Sequence, residues 1–78
     1  MNLLKLNQLA KGKRGRISRV DGDDGISIRL MEMGLIAGEV VEYVGSAPFG
    51  QPATYLTRGF RLALRPEESS RIEVELVN

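Results

Sequence analysis

Nine glycines and three prolines are spread through the 78 residues so evenly that no stretch free of both exceeds twelve residues. Glycine lowers the stability of helix and strand interiors, and proline removes a backbone donor and fixes φ, so a chain punctuated this often is built from short elements and tight turns. Between the breaks, apolar residues alternate with polar ones more often than they follow helical spacing, which favours short, half-buried strands.

The first such segment follows Gly12 and Gly15, which bracket a basic turn. Ile17 and Val20 are then interleaved with Ser18 and Arg19, as at the start of a strand. Asp21-Gly22-Asp23-Asp24 next supplies carboxylates suited to capping a helix that runs to about Met33, with Gly34 as the stop. Inside it, Ile26, Leu30 and Met33 form one apolar row and Ile28, Met31 and Leu35 a second. The alternation at Ile26, Ile28 and Leu30 is also compatible with a strand.

Residues 39–44 and 53–57 are rich in β-branched and aromatic side chains and pair naturally as a hairpin. The loop between them holds Pro48 and Pro52, which cannot continue a ladder, with Phe49 near its tip. An apolar ring placed there either folds back over the core or is offered to a partner. Gly59 marks a bend or a positive φ before Phe60, Leu62 and Leu64, which alternate with Arg61 and Ala63. Tyr43 and Phe60, in alternating strand positions, are assigned to the core. Pro66, Glu67 and Glu68 suit the start of a short helical turn ending near Ser70, and Ile72, Val74 and Leu76 make the last strand. The expected fold is mainly β: one domain over residues 1–78, a small, strongly bent antiparallel barrel of about five strands, with one inserted α-helix and a short helical turn before the last strand.

The same residues limit the chemistry. A chain of this length hides only about 60% of its unfolded surface, so a deep substrate cavity is hard to build and binding is favoured over catalysis. The absence of Cys, His and Trp removes disulfides, thiolate and imidazole nucleophiles, and the usual zinc ligands. Asp21, Asp23 and Asp24 lack the further spaced oxygens of a calcium loop, which leaves helix capping as their role. Gly12-Lys13-Arg14-Gly15-Arg16 lacks the spacing of a phosphate-cradling loop. Residues 1–20 carry six bases (Lys5, Lys11, Lys13, Arg14, Arg16 and Arg19) and no acid, although the whole chain is only +1. A basic arm of this kind would favour nucleic acid, anionic lipid or an acidic protein surface. No apolar stretch approaches the ~20 residues of a membrane span, and the first residues lack a signal-peptide core, so the expected compartment is the cytosol.

Three blocks, taken in order, carry a resemblance. Leu30-Met31-Glu32-Met33-Gly34-Leu35-Ile36-Ala37-Gly38-Glu39-Val40, Ala47-Pro48-Phe49-Gly50-Gln51-Pro52 and Arg58-Gly59-Phe60-Arg61-Leu62-Ala63-Leu64-Arg65 resemble the FeoA family, the small A components of bacterial ferrous iron transport. The similarity runs from about Leu3 to Leu76. Ala37 stands where the family commonly has proline, and Gln51 where the loop commonly has aspartate, which removes a carboxylate from the loop.

The resemblance implies an SH3-like β-barrel in the cytosol that assists FeoB, a membrane protein with a GTP-binding domain that moves Fe²⁺ inward. It implies a non-enzymatic, free-standing protein without a cofactor and without membrane insertion of its own; the sequence does not support even a weak Fe²⁺ contact through its carboxylates. The expected partner-binding residues are Met33, Gly34 and Leu35 at the helix end and Ala47, Pro48, Phe49, Gly50 and Pro52 in the loop. Arg58, Arg61 and Arg65 read as surface charge on strands, with an arginine finger acting on the GTPase as the sharper alternative. The competing class is a small basic nucleic-acid-binding barrel.

Overall fold

The computed structural model describes residues 3–50 and 52–77. Six strands, β1 (Leu3–Lys5), β2 (Arg14–Val20), β3 (Val40–Ser46), β4 (Ala53–Thr57), β5 (Phe60–Leu64) and β6 (Ile72–Val77), form one antiparallel sheet in the order β1-β6-β2-β3-β4-β5. Two helices interrupt them, α1 (Gly25–Glu32) and the single turn α2 (Pro66–Ser69), together with a 3₁₀ turn at Leu6–Gln8. The ranges for β4 and β5 are those expected from the β-branched and aromatic run and from the alternation, respectively. The count of strands is six rather than five, because the three-residue β1 is too short to display a period and gains its order by pairing with Glu73, Val74 and Glu75 of β6.

Two bulges bend the sheet. The register of β2 against β6 shifts between Ile17 and Arg19, and that of β3 against β4 between Tyr43 and Gly45. Each extra residue strengthens the local twist and curls the sheet around one face. The ladder stays open, with β1 and β5 as its two outer strands, so it is barrel-like without closing. The enclosed face packs Ile17, Val41, Tyr55, Leu64, Ile72 and Val74 against Leu30 and Leu35, while Leu6 and Leu9 of the N-terminal segment complete the core. Tyr55 contributes the largest ring, tilted against half-buried Tyr43 at 5.4 Å between centroids.

Phe60 departs from the expectation. It shares the face of Leu62 and Leu64, yet it sits at the turn end of the β4–β5 hairpin, beyond the cover of the core, and is 66% exposed. On α1, the row Ile26, Leu30 and Met33 packs on the core, whereas Ile28 and Met31 of the second row stay exposed.

A long-range charged knot fastens α1 to the start of β6. Asp24 is the N-cap of α1, accepting from the Ser27 N–H at 3.3 Å, and its two oxygens accept from the Arg71 guanidinium at 2.6 and 2.8 Å. Buried Ser27 donates its hydroxyl to the Asp21 carbonyl and accepts from Arg71 at 3.1 Å. Arg71 foremost, then the Ser27 N–H, hold the Asp24 carboxyl far below the usual range, and the hydrogen bond from Lys5 lowers that of Asp21. Both folded pKa values are depressed, so the stability they contribute is full above the unfolded carboxylate range and is lost as pH falls from that range through the lower folded values. Thermal melting is therefore expected to be level near neutrality and to weaken below about pH 4. Asp24→Asn, which keeps a cap but loses the charge, should melt lower at neutral pH and show a shallower acid fall; a slope identical to the native one would contradict the assignment.

Gly15 shows how closely the sheet is packed. A Cβ there would lie 2.6 and 2.7 Å from the side chain of Val74 on neighbouring β6. Gly15→Ala is expected to cost about 1–3 kcal/mol through overpacking, which for a domain of this size lowers Tm by roughly 4–8 °C per kcal/mol. Adding Val74→Ala should return part of that loss, a non-additivity that differential scanning calorimetry on the single and double variants would measure.

Candidate functional site

The loop joining β3 to β4 is closed by the Ala47 N–H donating to the Pro52 carbonyl at 3.0 Å. Between them Pro48–Gly50 makes a tight turn in which Phe49 takes φ 68° and ψ 14°, the left-handed region that side chains other than glycine rarely adopt. The ring itself is fully exposed. A bulky residue held in this conformation costs about 1–2 kcal/mol and buries no ring in return. Pro48 is exposed, Ala47 and Pro52 are half-buried, and Gln51 lies outside the described residues.

The second part of the expected surface is the end of α1. Gly34, at φ 93°, donates to the Met31 carbonyl, and Leu35 donates back to the Leu30 carbonyl at 3.1 Å. These are the paired bonds of a Schellman ending, and Leu30 and Leu35 supply its apolar contact. Leu35 is consequently wholly buried and is a core residue rather than a docking one. Gly34 lies against the Arg58 guanidinium, so closely that any Cβ would overlap it. Arg58 also faces Glu39 at 3.9 Å, which ties the arginine to the body of the protein.

Tertiary structure joins the two parts through a cleft of about 640 Å³ in which Ile26 of α1 and its C-cap Met33 meet Pro52, Ala63 and Arg65. Its polar wall holds Arg29 paired with Glu68, whose other oxygen accepts from the Arg65 N–H at 2.9 Å. On the other side of the loop, a shallower cleft is lined by Lys11, Arg61, Thr54 and Ala47, and Pro52 forms part of both walls. Met33, Ala47 and Pro52 thus line clefts flanking the Phe49 turn, whereas Gly34 and Leu35 serve the helix end. Ile26, Lys11 and Ala63 join the surface although nothing in the sequence tied them to the loop, because only tertiary packing brings them near it.

Four of the six bases of the arm, Lys5, Arg14, Arg16 and Arg19, stand beside or opposite acids. In the β2–β3 register Arg14 stands opposite Glu42, and in the β2–β6 register Arg16 stands opposite Glu75 and Arg19 opposite Glu73. Directly opposed side chains share a face within interaction distance. Asp21 receives both Lys5 at 2.6 Å and Arg19 at 2.9 Å, and Arg19 also reaches Glu73 at 3.8 Å. Among the described residues no cluster of three or more acidic side chains is arranged to hold a metal ion. No helix among them is long and apolar enough to cross a membrane.

Comparison with known proteins agrees with this architecture. Residues 4–76 match the family model of the FeoA domain. A fusion of Fe(2+) transport protein A with the Fe(2+) transporter FeoB from Porphyromonas gingivalis is 33% identical over 75 residues; these are 96% of this chain and 9% of the fusion, so the chain spans under a tenth of that relative's length. The solution structure of iron(II) transport protein A from Clostridium thermocellum superposes with a TM-score of 0.88 at 35% identity, covering 95% of this chain and 46% of that one. The crystal structure of Stenotrophomonas maltophilia FeoA with zinc, described as a prokaryotic SH3 domain protein and a candidate ferrous iron transport activating factor, does so at 0.82 and 30%, covering 92% and 89%.

The exposed, strained turn generates a direct expectation. Phe49→Asp should leave Tm unchanged, and Phe49→Gly should leave it equal or higher because the left-handed backbone suits glycine. A substantial fall in either melt would show that the ring covers the core in solution.

Proposed function

The chain belongs to the FeoA family, and on that premise we propose that it is a non-catalytic accessory protein of ferrous iron uptake that docks on the cytosolic, GTP-binding side of a FeoB-type transporter. The family is associated with ferrous iron transport, and a homologue is fused to FeoB. Fusion holds two modules at high effective concentration, and a separate chain reaches the same end by binding.

The observation that carries the reading is Phe49. An aromatic side chain fully in water, on a backbone that pays a conformational cost to hold it there, fits an anchor for a partner's pocket, the kind of residue that dominates interface energetics. Ala47, Pro48, Gly50 and Pro52 shape the turn around it, and Met33 extends the surface along the cleft. The proposal assigns the chain no cofactor, no bound iron and no enzymatic step. It places the protein in the cytosol, recruited to the membrane through its partner.

The test is a titration against the full-length transporter, loaded with GDP or a GTP analogue, at about 50 and 200 mM salt, with duplex DNA as a polyanion control. Saturable binding to the transporter is expected, weakened about thirtyfold, or ~2 kcal/mol, by Phe49→Asp. Because β3 and β6 set acids opposite the bases of β2, binding to DNA is expected to be negligible at the lower salt. Binding confined to DNA and falling steeply with salt would instead establish the nucleic-acid reading.

A further inference from the structure

β5 is an outer strand, and its backbone shows which groups are left unpaired. Arg58 at φ 50° and Gly59 at φ 82° form the two-residue type I′ turn of the β4–β5 hairpin. In such a hairpin the flanking pair, here Thr57 and Phe60, is hydrogen-bonded, and bonded pairs recur at every second residue. Leu62 and Leu64 therefore bond to β4, while the N–H and C=O groups of Arg61 and Ala63 point away from it. Among the described residues, no backbone bond from outside the sheet reaches either one.

This edge opens on a prepared surface. Ala63 lies in the 640 Å³ cleft with Ile26 of α1 and its C-cap Met33, so an added strand would find apolar contacts there, beside a charged wall of Arg29, Arg65, Glu67 and Glu68. From Arg58 to Pro66 the segment carries Arg58, Arg61 and Arg65 and no acid. Among the described residues Arg61 and Arg65 enter no ion pair. Pairing with β5 of a second copy would set these three bases against the same three, so the charge disfavours self-association and selects an acidic occupant.

We propose that the free edge of β5 binds an extended acidic and apolar segment of a partner protein by strand addition, with acidic side chains opposite Arg61 and the alternate apolar ones facing Ile26 and Met33. Main-chain bonds to Arg61 and Ala63 provide affinity, and the alternation provides register and specificity. This inference rests on the reading of the chain as a docking module, but not on the identity of the partner.

The experiment is selection of phage-displayed random dodecapeptides on the full chain. Enriched peptides are expected to alternate acidic and apolar residues and to slow hydrogen exchange at the Arg61 and Ala63 amides. Ala63→Pro, which removes only the outward N–H of an edge strand, should weaken them about tenfold or more. Arg61→Glu should reverse the preference toward basic peptides. Should Ala63→Pro fail to fold, amide exchange on the native chain decides alone: unchanged Arg61 and Ala63 amides overturn the proposal. It is equally overturned by failure to enrich any peptide, by a shift to a dimer through β5, or by peptides sensitive to Phe49→Asp and indifferent to Ala63→Pro. That last result would leave the docking reading standing, which fails only if the transporter titration shows no binding.

Discussion

The pairing of β2 with β6 is the constraint from which most of the structure follows. It joins Arg14–Val20 to Ile72–Val77 across more than fifty intervening residues, and it is antiparallel with one bulge. That single register lays Val74 on Gly15, brings Arg71 to the N-cap of α1, and leaves the other edge of β6 to pair with β1. Closing so long a loop is entropically unfavourable, so these contacts are mutually dependent: burial of Ile17, Ile72 and Val74 stabilises the register that makes the polar knot possible.

The same register decides the electrostatics that bear on function. Read along the chain, the bases of residues 1–20 form an uncompensated arm. Folded, Arg14, Arg16 and Arg19 each stand opposite a glutamate, and Lys5 reaches Asp21. What remains distinctive is the exposed aromatic turn at Phe49, the clefts on either side of it, and the unpaired rim of β5. These are the features on which the docking proposal rests.

The local elements were legible because their signals are local. Pro and Gly set off β4 and β5, alternation chose their inward faces, and Asp24 and Gly34 marked the two ends of α1. β1 escaped because three residues carry no period, and Phe60 was misplaced because alternation reports a face and not the extent of what covers it. Leu35 was read as surface for a related reason. As the residue after the helix-ending glycine it could point either way, and only the bond back to Leu30 turns it into the core. Of the β3–β4 loop, the turn and its aromatic tip were readable from Pro48 and Pro52, but not the left-handed backbone at Phe49.

By itself, the sequence determined a short-element, mainly β domain, the capped helix, the proline-bounded loop and membership of the FeoA family, since each depends on residue type at fixed spacing. Only the tertiary structure decided which charges are neutralised, that Met33 and Pro52 share a cleft, and that β5 rather than another strand is left at the edge. The physical reason is that strand order and register are set by contacts between distant segments. A one-dimensional pattern specifies which face of a strand is apolar, but not which neighbour that strand acquires.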